Sequence, residues 1–215
     1  MSTFRVTFSK DDVLVYISHL DLNHAFIRAR NRADIQLVYS QGFNPHPKLV
    51  FALPLSIGMA GENELLDIGV LDESVTAERL REALCEQLPP HITVKNVELA
   101  ERKLKDVSSA LYEIVISKSV IADALKELLG GTITVRKKTK SGEKDVVISD
   151  GIIKTALREV ENTTVIDAVL SASGDNYLNP ELIIKAATEK GILSESDAVA
   201  ITRKRILFGK EMPEI

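Results

Sequence analysis

His19, Asp21, His24, Arg28 and Arg32 fall in one short stretch, SHLDLNHAFIRARNR, and YSQGFNPHPKL follows at residues 39 to 49. A histidine beside a carboxylate is the equipment of general acid–base catalysis, so His19 and Asp21 are the catalytic candidates if the chain is an enzyme. His19, Asp21, His24 and His46 are also metal-ligand types, provided that a fold brings them within about 2 Å of one ion. Their spacing does not match the zinc helix H-E-x-x-H. Ser18 three residues before Asp21 fits a capping box, which already gives that carboxylate a task. His24, Arg28 and Arg32 recur every fourth residue and so share a helix face. Like charges stacked in this way cost about 0.2–0.5 kcal/mol per pair unless an anion lies nearby, and arginine suits phosphate oxygens. The alternative is a solvated basic face paired with acids elsewhere.

The loop GFNPHPK bears on that choice. Gly42 permits a positive φ, while Asn44 and His46 each precede a proline and are driven towards extended backbone. Asn44, His46 and Lys48 then project from a stiff segment that loses little entropy on binding. Phe43 and Tyr39 have the flat rings on which an unpaired base stacks, although either ring can equally fill a core. Against function stands turn chemistry, since NP and HP are ordinary turn dipeptides. Other chemistries have less support. GENELLDIG lacks the glycine spacing of a phosphate loop, Ser18 and Ser40 lack a nucleophile elbow, and Cys85 has no histidine near it in sequence.

Composition sets the bounds. The chain has 215 residues, 45% of them hydrophobic, which is enough to bury a core in one domain or two. Cys85 is the single cysteine, so an internal disulfide, a cysteine-rich zinc site and a protein-held iron–sulfur cluster are excluded. Its helical pattern, TAERLREALCEQL, places it as a small core or partly buried residue. The net charge of −4 argues against a protein that coats nucleic acid over its whole surface, though not against a local patch. From Leu22 to Lys48 the acid Asp34 stands alone against Arg28, Arg30, Arg32 and Lys48; further basic islands are RKKTKSGEK at 136 to 144 and RKR at 203 to 205. No apolar run approaches a membrane span and MSTFRVTFSKDD lacks a secretory pattern, so no membrane association and a cytoplasmic location are expected.

The elements that must position these residues read as two similar sets. FRVTFSK alternates as a strand, with VLVYI continuing or pairing it. A helix runs from Ser18 to about Ala33, with Leu20, Phe26 or Ile27, and Ala33 among its apolar positions. LVYS, KLVFALPLSIG and ELLDIGVL are strand-type, Thr76 to about Leu88 is a helix stopped by Pro89 and Pro90, and ITVKNVELA is a strand. After the charged stretch AERKLKDVSS come the strand ALYEIVIS, the helix VIADALKELLGG and a hairpin turned at Ser141 and Gly142. IIKTALREV and TTVIDAVLSAS are ambiguous between helix and strand. A helix capped at Asn179 and the strand AVAITRKRILF follow. The expectation is α+β: tandem ferredoxin-like (βαββαβ) domains with mostly antiparallel sheets, 1–104 carrying SHLD and GFNPHPK and 105–215 a more elaborated copy.

The run YISHLDLNHAFIRARNRADIQLVYSQGFNPHPKLVFALPLSIG resembles the radical-SAM-linked proteins, a bacterial family of unknown function. Its members also occur fused to the C-terminus of cobalamin-type radical SAM proteins. The family pattern lands on Ser18, His19, Leu20, Asp21, Arg28, Arg32, Ser40, Gly42, Phe43, Asn44, Pro45 and Pro47. This chain departs from it at His24 and Asn31, where members often carry arginine, which lowers the charge of the helix. Position 46 varies between histidine and arginine, which suits an anion contact better than proton transfer. The resemblance implies a radical SAM partner and gene neighbours that include an E/G-type ribonuclease and ribosomal proteins. A fainter architectural likeness is to CRISPR-repeat-processing endoribonucleases, in which case His19 would be the base and Tyr39 or Lys48 a charge stabiliser.

The leading expectation is a non-catalytic module that binds RNA or a ribonucleoprotein, with His19, Arg28, Arg32, Tyr39, Phe43, Asn44, His46 and Lys48 as binding residues and no cofactor of its own. The alternatives are a metal-independent ribonuclease or other hydrolase using His19, and a protein adaptor for a radical SAM partner that touches no nucleic acid.

Overall fold

The computed structural model describes residues 1–119, 121–139 and 142–215, leaving aside the side chains of Lys138, Thr139 and Asp175. The chain divides into two compact units, Met1–Val107 and Ser108–Ile215.

The first unit runs β1 (Ser2–Lys10), a 3-10 turn (Asp12–Tyr16), α1 (His19–Arg32), β2 (Leu49–Phe51), β3 (Met59–Val70), α2 (Ala77–Gln87) and β4 (Ile92–Leu99). β1 lies between β4 and β3, β2 pairs the far side of β3, and the pairings are antiparallel. That order of elements and strands is the ferredoxin-like arrangement. Alternation along β1 sends Phe4, Val6 and Phe8 into the core, where Leu66, Ile68 and Val70 of β3 meet Leu22, Phe26 and Ala29 of α1 and Leu80, Ala83 and Leu84 of α2. On the opposite face Arg5 stands across from Asp67, donating from Nε and Nη2 at 2.8 and 2.9 Å, and also bonds the Arg102 carbonyl at 2.6 Å.

Several local expectations fail here: LVYS makes only isolated bridges at Leu37 and Tyr39, and of KLVFALPLSIG only Leu49–Phe51 is strand. VLVYI is neither strand nor partner: Asp12 takes φ 48° and the chain coils into the 3-10 turn, because the β1 ladder slips after Phe8 and ends at Lys10. Leu20 does not join the apolar face of α1 but is 60% exposed.

The second unit runs β5 (Val107–Ile116), α3 (Ala122–Gly130), β6 (Thr134–Thr139), β7 (Gly142–Val147), β8 (Ile152–Val160), β9 (Thr163–Ser171), α4 (Glu181–Glu189) and β10 (Val199–Phe208). Its sheet order is β10-β5-β9-β8, the same pattern as in the first unit, with β6 and β7 forming a separate hairpin. Both ambiguous segments are strands, β8 and β9, paired antiparallel from Val160↔Thr163 to Ile152↔Leu170. Val120 of the expected helix, and Lys140 and Ser141 of the expected turn, lie outside the described residues.

RKR at 203 to 205 is not a surface island. Arg203 is 1% exposed and its Nη1 lies 3.5 Å from the Tyr112 hydroxyl, while Lys204 Nζ is 3.7 Å from Glu113. Burial, with Tyr112 beside it, pushes the Tyr177 hydroxyl up to about 12. Cys85 is exposed rather than part of the core. No helix among the described residues is long and apolar enough to cross a membrane.

Candidate binding site

α1 begins with the capping box read from the sequence. The Asp21 amide donates to Ser18 Oγ at 3.1 Å, and Asp21 Oδ2 accepts from the Ser18 amide at 3.3 Å and from its hydroxyl at 2.6 Å. These bonds, with the charges of His24 and Arg28 adding, hold the Asp21 carboxyl below its ordinary range. It is ionised and engaged, which suits a cap and not a proton donor. His19 is the first residue of the helix, its ring edge-on to Phe51 at 4.8 Å. Burial, then the charge of Lys10, lowers its pKa. At 100° per residue His19 and Asp21 lie about 200° apart around the helix, so the two are not aligned as a dyad. No group of three or more histidine, cysteine, aspartate or glutamate side chains suited to a metal occurs among the described residues.

The arginines serve different ends. Arg32 Nε donates to Gln87 Oε1 at 2.9 Å and its Nη2 bonds the Gln87 carbonyl, so it closes the last turn of α2. Arg28 is exposed and has no hydrogen-bond or ion-pair partner among the described residues. Arg30, which the four-residue stripe passed over, is the one that reaches the loop. Its Nη2 donates to the Tyr39 hydroxyl at 2.9 Å and its Nη1 to the Ile35 carbonyl at 3.3 Å, while its buried Nε has no partner. The signal was present in the sequence: Arg30 follows Phe26 by four residues and Leu22 by eight, on the flank of the buried face.

The loop is an excursion from the edge of the sheet. The Val38 amide donates to the Gly69 carbonyl at 2.8 Å, the Gly69 amide to the Lys48 carbonyl at 3.1 Å, and the Lys48 amide to the Val38 carbonyl at 2.7 Å. Gly69 thus holds both legs at once. A Cβ on it would stand 3.2 Å from Val38 Cβ, tighter than ordinary contact, and 3.7 Å from Lys48 Cβ, so a larger side chain would press on the leg at Val38. Further out the Ser40 amide donates to the His46 carbonyl at 2.8 Å, and the His46 amide to Ser40 Oγ at 3.0 Å. Gly42, at φ 136°, turns the tip in open space. Phe43 at that tip is wholly exposed, and Gln41 and Asn44 beside it are exposed.

Tyr39, Phe43, Asn44, His46 and Lys48 therefore share one exposed feature footed by Arg30. His19 and Phe51 sit on the helix side of the sheet. Lys48, one residue before half-buried Leu49, starts on the other side, so it is not aimed at His19. Arg28 and Arg32 point about 160–200° around α1 from Arg30 and do not meet the loop. From Ile35 to Gly61 the chain has no acidic residue. The arrangement offers a flat ring, amide donors and acceptors and a cation, the chemistry of holding an unpaired base and its phosphate.

Comparison with known proteins adds a family. A family model described as an uncharacterized protein conserved in bacteria (DUF2344) matches residues 3–180. No curated protein matches. Among solved structures, an unknown protein from Galdieria sulphuraria is similar at 11% identity and a TM-score of 0.28, covering 94% of this chain and 98% of that one. A putative glycine cleavage system transcriptional repressor is similar at 7% identity and a TM-score of 0.28, covering 97% and 98%. Overlaps this poor carry no weight for function.

Proposed function

We infer a function from this premise: the chain belongs to DUF2344, a family of uncharacterized proteins conserved in bacteria. The reading its geometry supports best is a non-catalytic module that holds single-stranded RNA, free or within a ribonucleoprotein, on the loop from Tyr39 to Lys48. The observation that carries it is Phe43, a wholly exposed ring on a proline-stiffened tip in a stretch without acids. An aromatic left in water at a shaped tip gains only on meeting a partner, and a base stacked on it contributes about 1–3 kcal/mol. Asn44 and Gln41 would bond base edges, and Lys48 and His46 would contact phosphate. Any chemistry would belong to a radical SAM partner, as the resemblance implies, since one cysteine cannot hold the required cluster. Catalysis by His19 has less support, because Asp21 is engaged in the cap on the far side of the helix.

Fluorescence anisotropy with a labelled single-stranded RNA tests the reading. Phe43→Ala should weaken binding about 5–150-fold, Lys48→Ala should lower the salt slope by about 0.7, and Arg32→Ala should change neither. An absence of binding at low salt, or indifference to Phe43→Ala, would sink it. RNA cleavage in chelator that disappears with His19→Ala would move the chain to the enzymes.

A further inference from the structure

At the start of α1 the first unit exposes apolar surface that the loop does not use. The 3-10 turn has three residues per turn, so Val13 and Tyr16 emerge on one side, 62% and 73% exposed, while Leu14 and Ile17 pack on the core. Leu20, 60% exposed, follows at the second position of α1. The Gly58 amide donates to the Val15 carbonyl at 2.8 Å, which brings Ile57, 57% exposed, beside the same turn. Single exposed apolar side chains need no explanation, but four gathered at one end of a unit do.

The charge at the border is negative. Asp11 and Asp12 open the turn, their carboxylates 3.4 and 3.6 Å from His91 Nδ1, and Asp21 lies one residue beyond Leu20, with the charges of His24 and Arg28 acting on it. Lys10, the cation next to the turn along the chain, is buried, its Nζ 3.4 Å from the Val15 carbonyl. Asp12 at φ 48° and His91 at φ 69° both hold left-handed backbone, and the Asp11 amide bonds the His91 carbonyl at 3.1 Å, so the presenting turn is tied to β4.

We propose that Val13, Tyr16, Leu20 and Ile57 form a docking surface for a protein segment that is apolar on one face and basic at its flanks, an amphipathic helix with lysine or arginine bordering its apolar stripe. The charge selects this occupant. Nucleic acid would bring phosphate against Asp11, Asp12 and Asp21. A second copy about a two-fold axis would set the same three carboxylates against themselves. The surface is thus separate from the loop in chemistry, and it stands whether or not the loop binds RNA.

The probe is a helical Leu/Lys amphipathic peptide, with a Leu/Glu peptide of the same apolar pattern as control, titrated against the full chain by fluorescence. The Leu/Lys peptide should bind at least tenfold more tightly than the Leu/Glu one. Tyr16→Ser with Leu20→Ser should remove binding, and Asp11→Asn with Asp12→Asn should weaken it and reduce its salt dependence. Phe43→Ala should leave it unchanged. Circular dichroism of each variant shows that the fold persists, and Leu20→Ser alone, at a position 60% exposed, supplies a milder variant. Equal affinity for the two peptides would overturn the proposal, as would self-association of the chain lost in Tyr16→Ser, or RNA binding lost in that variant.

Discussion

In the first unit the chain between α1 and β2 leaves the line of the edge strand at Val38 and rejoins it at Lys48; in the second, the chain between α3 and β8 folds into β6 and β7. Both insertions occupy the same joint of the same topology, from the first helix to the edge strand. They are held differently. The hairpin is a continuous ladder from Thr134↔Val147 to Thr139↔Gly142, closed beneath by the Ile148 amide on the Ile133 carbonyl at 2.8 Å and anchored by Val135, which is fully buried. The loop has two prolines and little ladder, and its shape depends on the sheet beneath, where Gly69 gathers both legs. The ferredoxin-like plan evidently tolerates long additions at this joint, and what differs is whether the addition supplies its own hydrogen bonds or borrows those of β3.

The largest effect should therefore come from Gly69→Val. Its branched side chain would meet Val38 and Lys48, cost about 1–3 kcal/mol and part the legs, so that the Lys48 amide loses protection in hydrogen exchange. If that amide stays protected, the loop is not held from below. Val135→Ala comes next, at about 1.5 kcal/mol for two buried carbons, and should loosen the hairpin while β10-β5-β9-β8 keeps its protection. Loss of the sheet with the hairpin would show that this insertion, too, depends on its neighbours. A smaller change is expected from Lys144→Glu. Lys137 and Lys144 face each other across the ladder, and an opposite charge there should stabilise the hairpin by about 0.2–1 kcal/mol at low salt, seen as slower exchange of β6 amides.

Sequence patterns disclosed much of this, and each failure has a physical source. Alternation located β1, and Thr76 and the capping box at Ser18 marked helix starts, because these are local chemistries. VLVYI misleads, since five apolar residues in a row carry no period. For Arg203 strand parity outweighs charge. In AVAITRKRILF it falls on the same side of the strand as Ile201, and that side is buried. Arg30 follows the parallel rule on a helix: its distance from Phe26, and not the run of like charges at i, i+4, sets where it points. The exposure of Phe43 was beyond the sequence altogether, because a ring in a loop suits a core and a tip equally well.

The smallest expected effect concerns how the two helices that lead into these joints begin. α1 starts from a local box, Ser18 with Asp21, whereas the Ile121 cap of α3 contributes no side chain and the Ala122 amide bonds Glu159 of β8 at 3.3 Å. The Asp21 carboxyl lies below its ordinary value of 3.8, so it favours the folded state above that value and the advantage fades as pH falls through its folded value. His19 acts in the same direction by the opposite route. Its pKa is lowered from 6.5, so the unfolded chain takes the proton first, and the first unit loses stability as pH drops from 6.5 towards the folded value. The protection of the first-turn amides of α1 relative to their intrinsic exchange, followed by NMR as pH is lowered, should therefore fall in two stages. His19→Gln should abolish the upper stage and Ser18→Ala should flatten the lower one, with α3 following neither substitution. A single stage that survives His19→Gln would place the acid sensitivity of α1 in the cap alone.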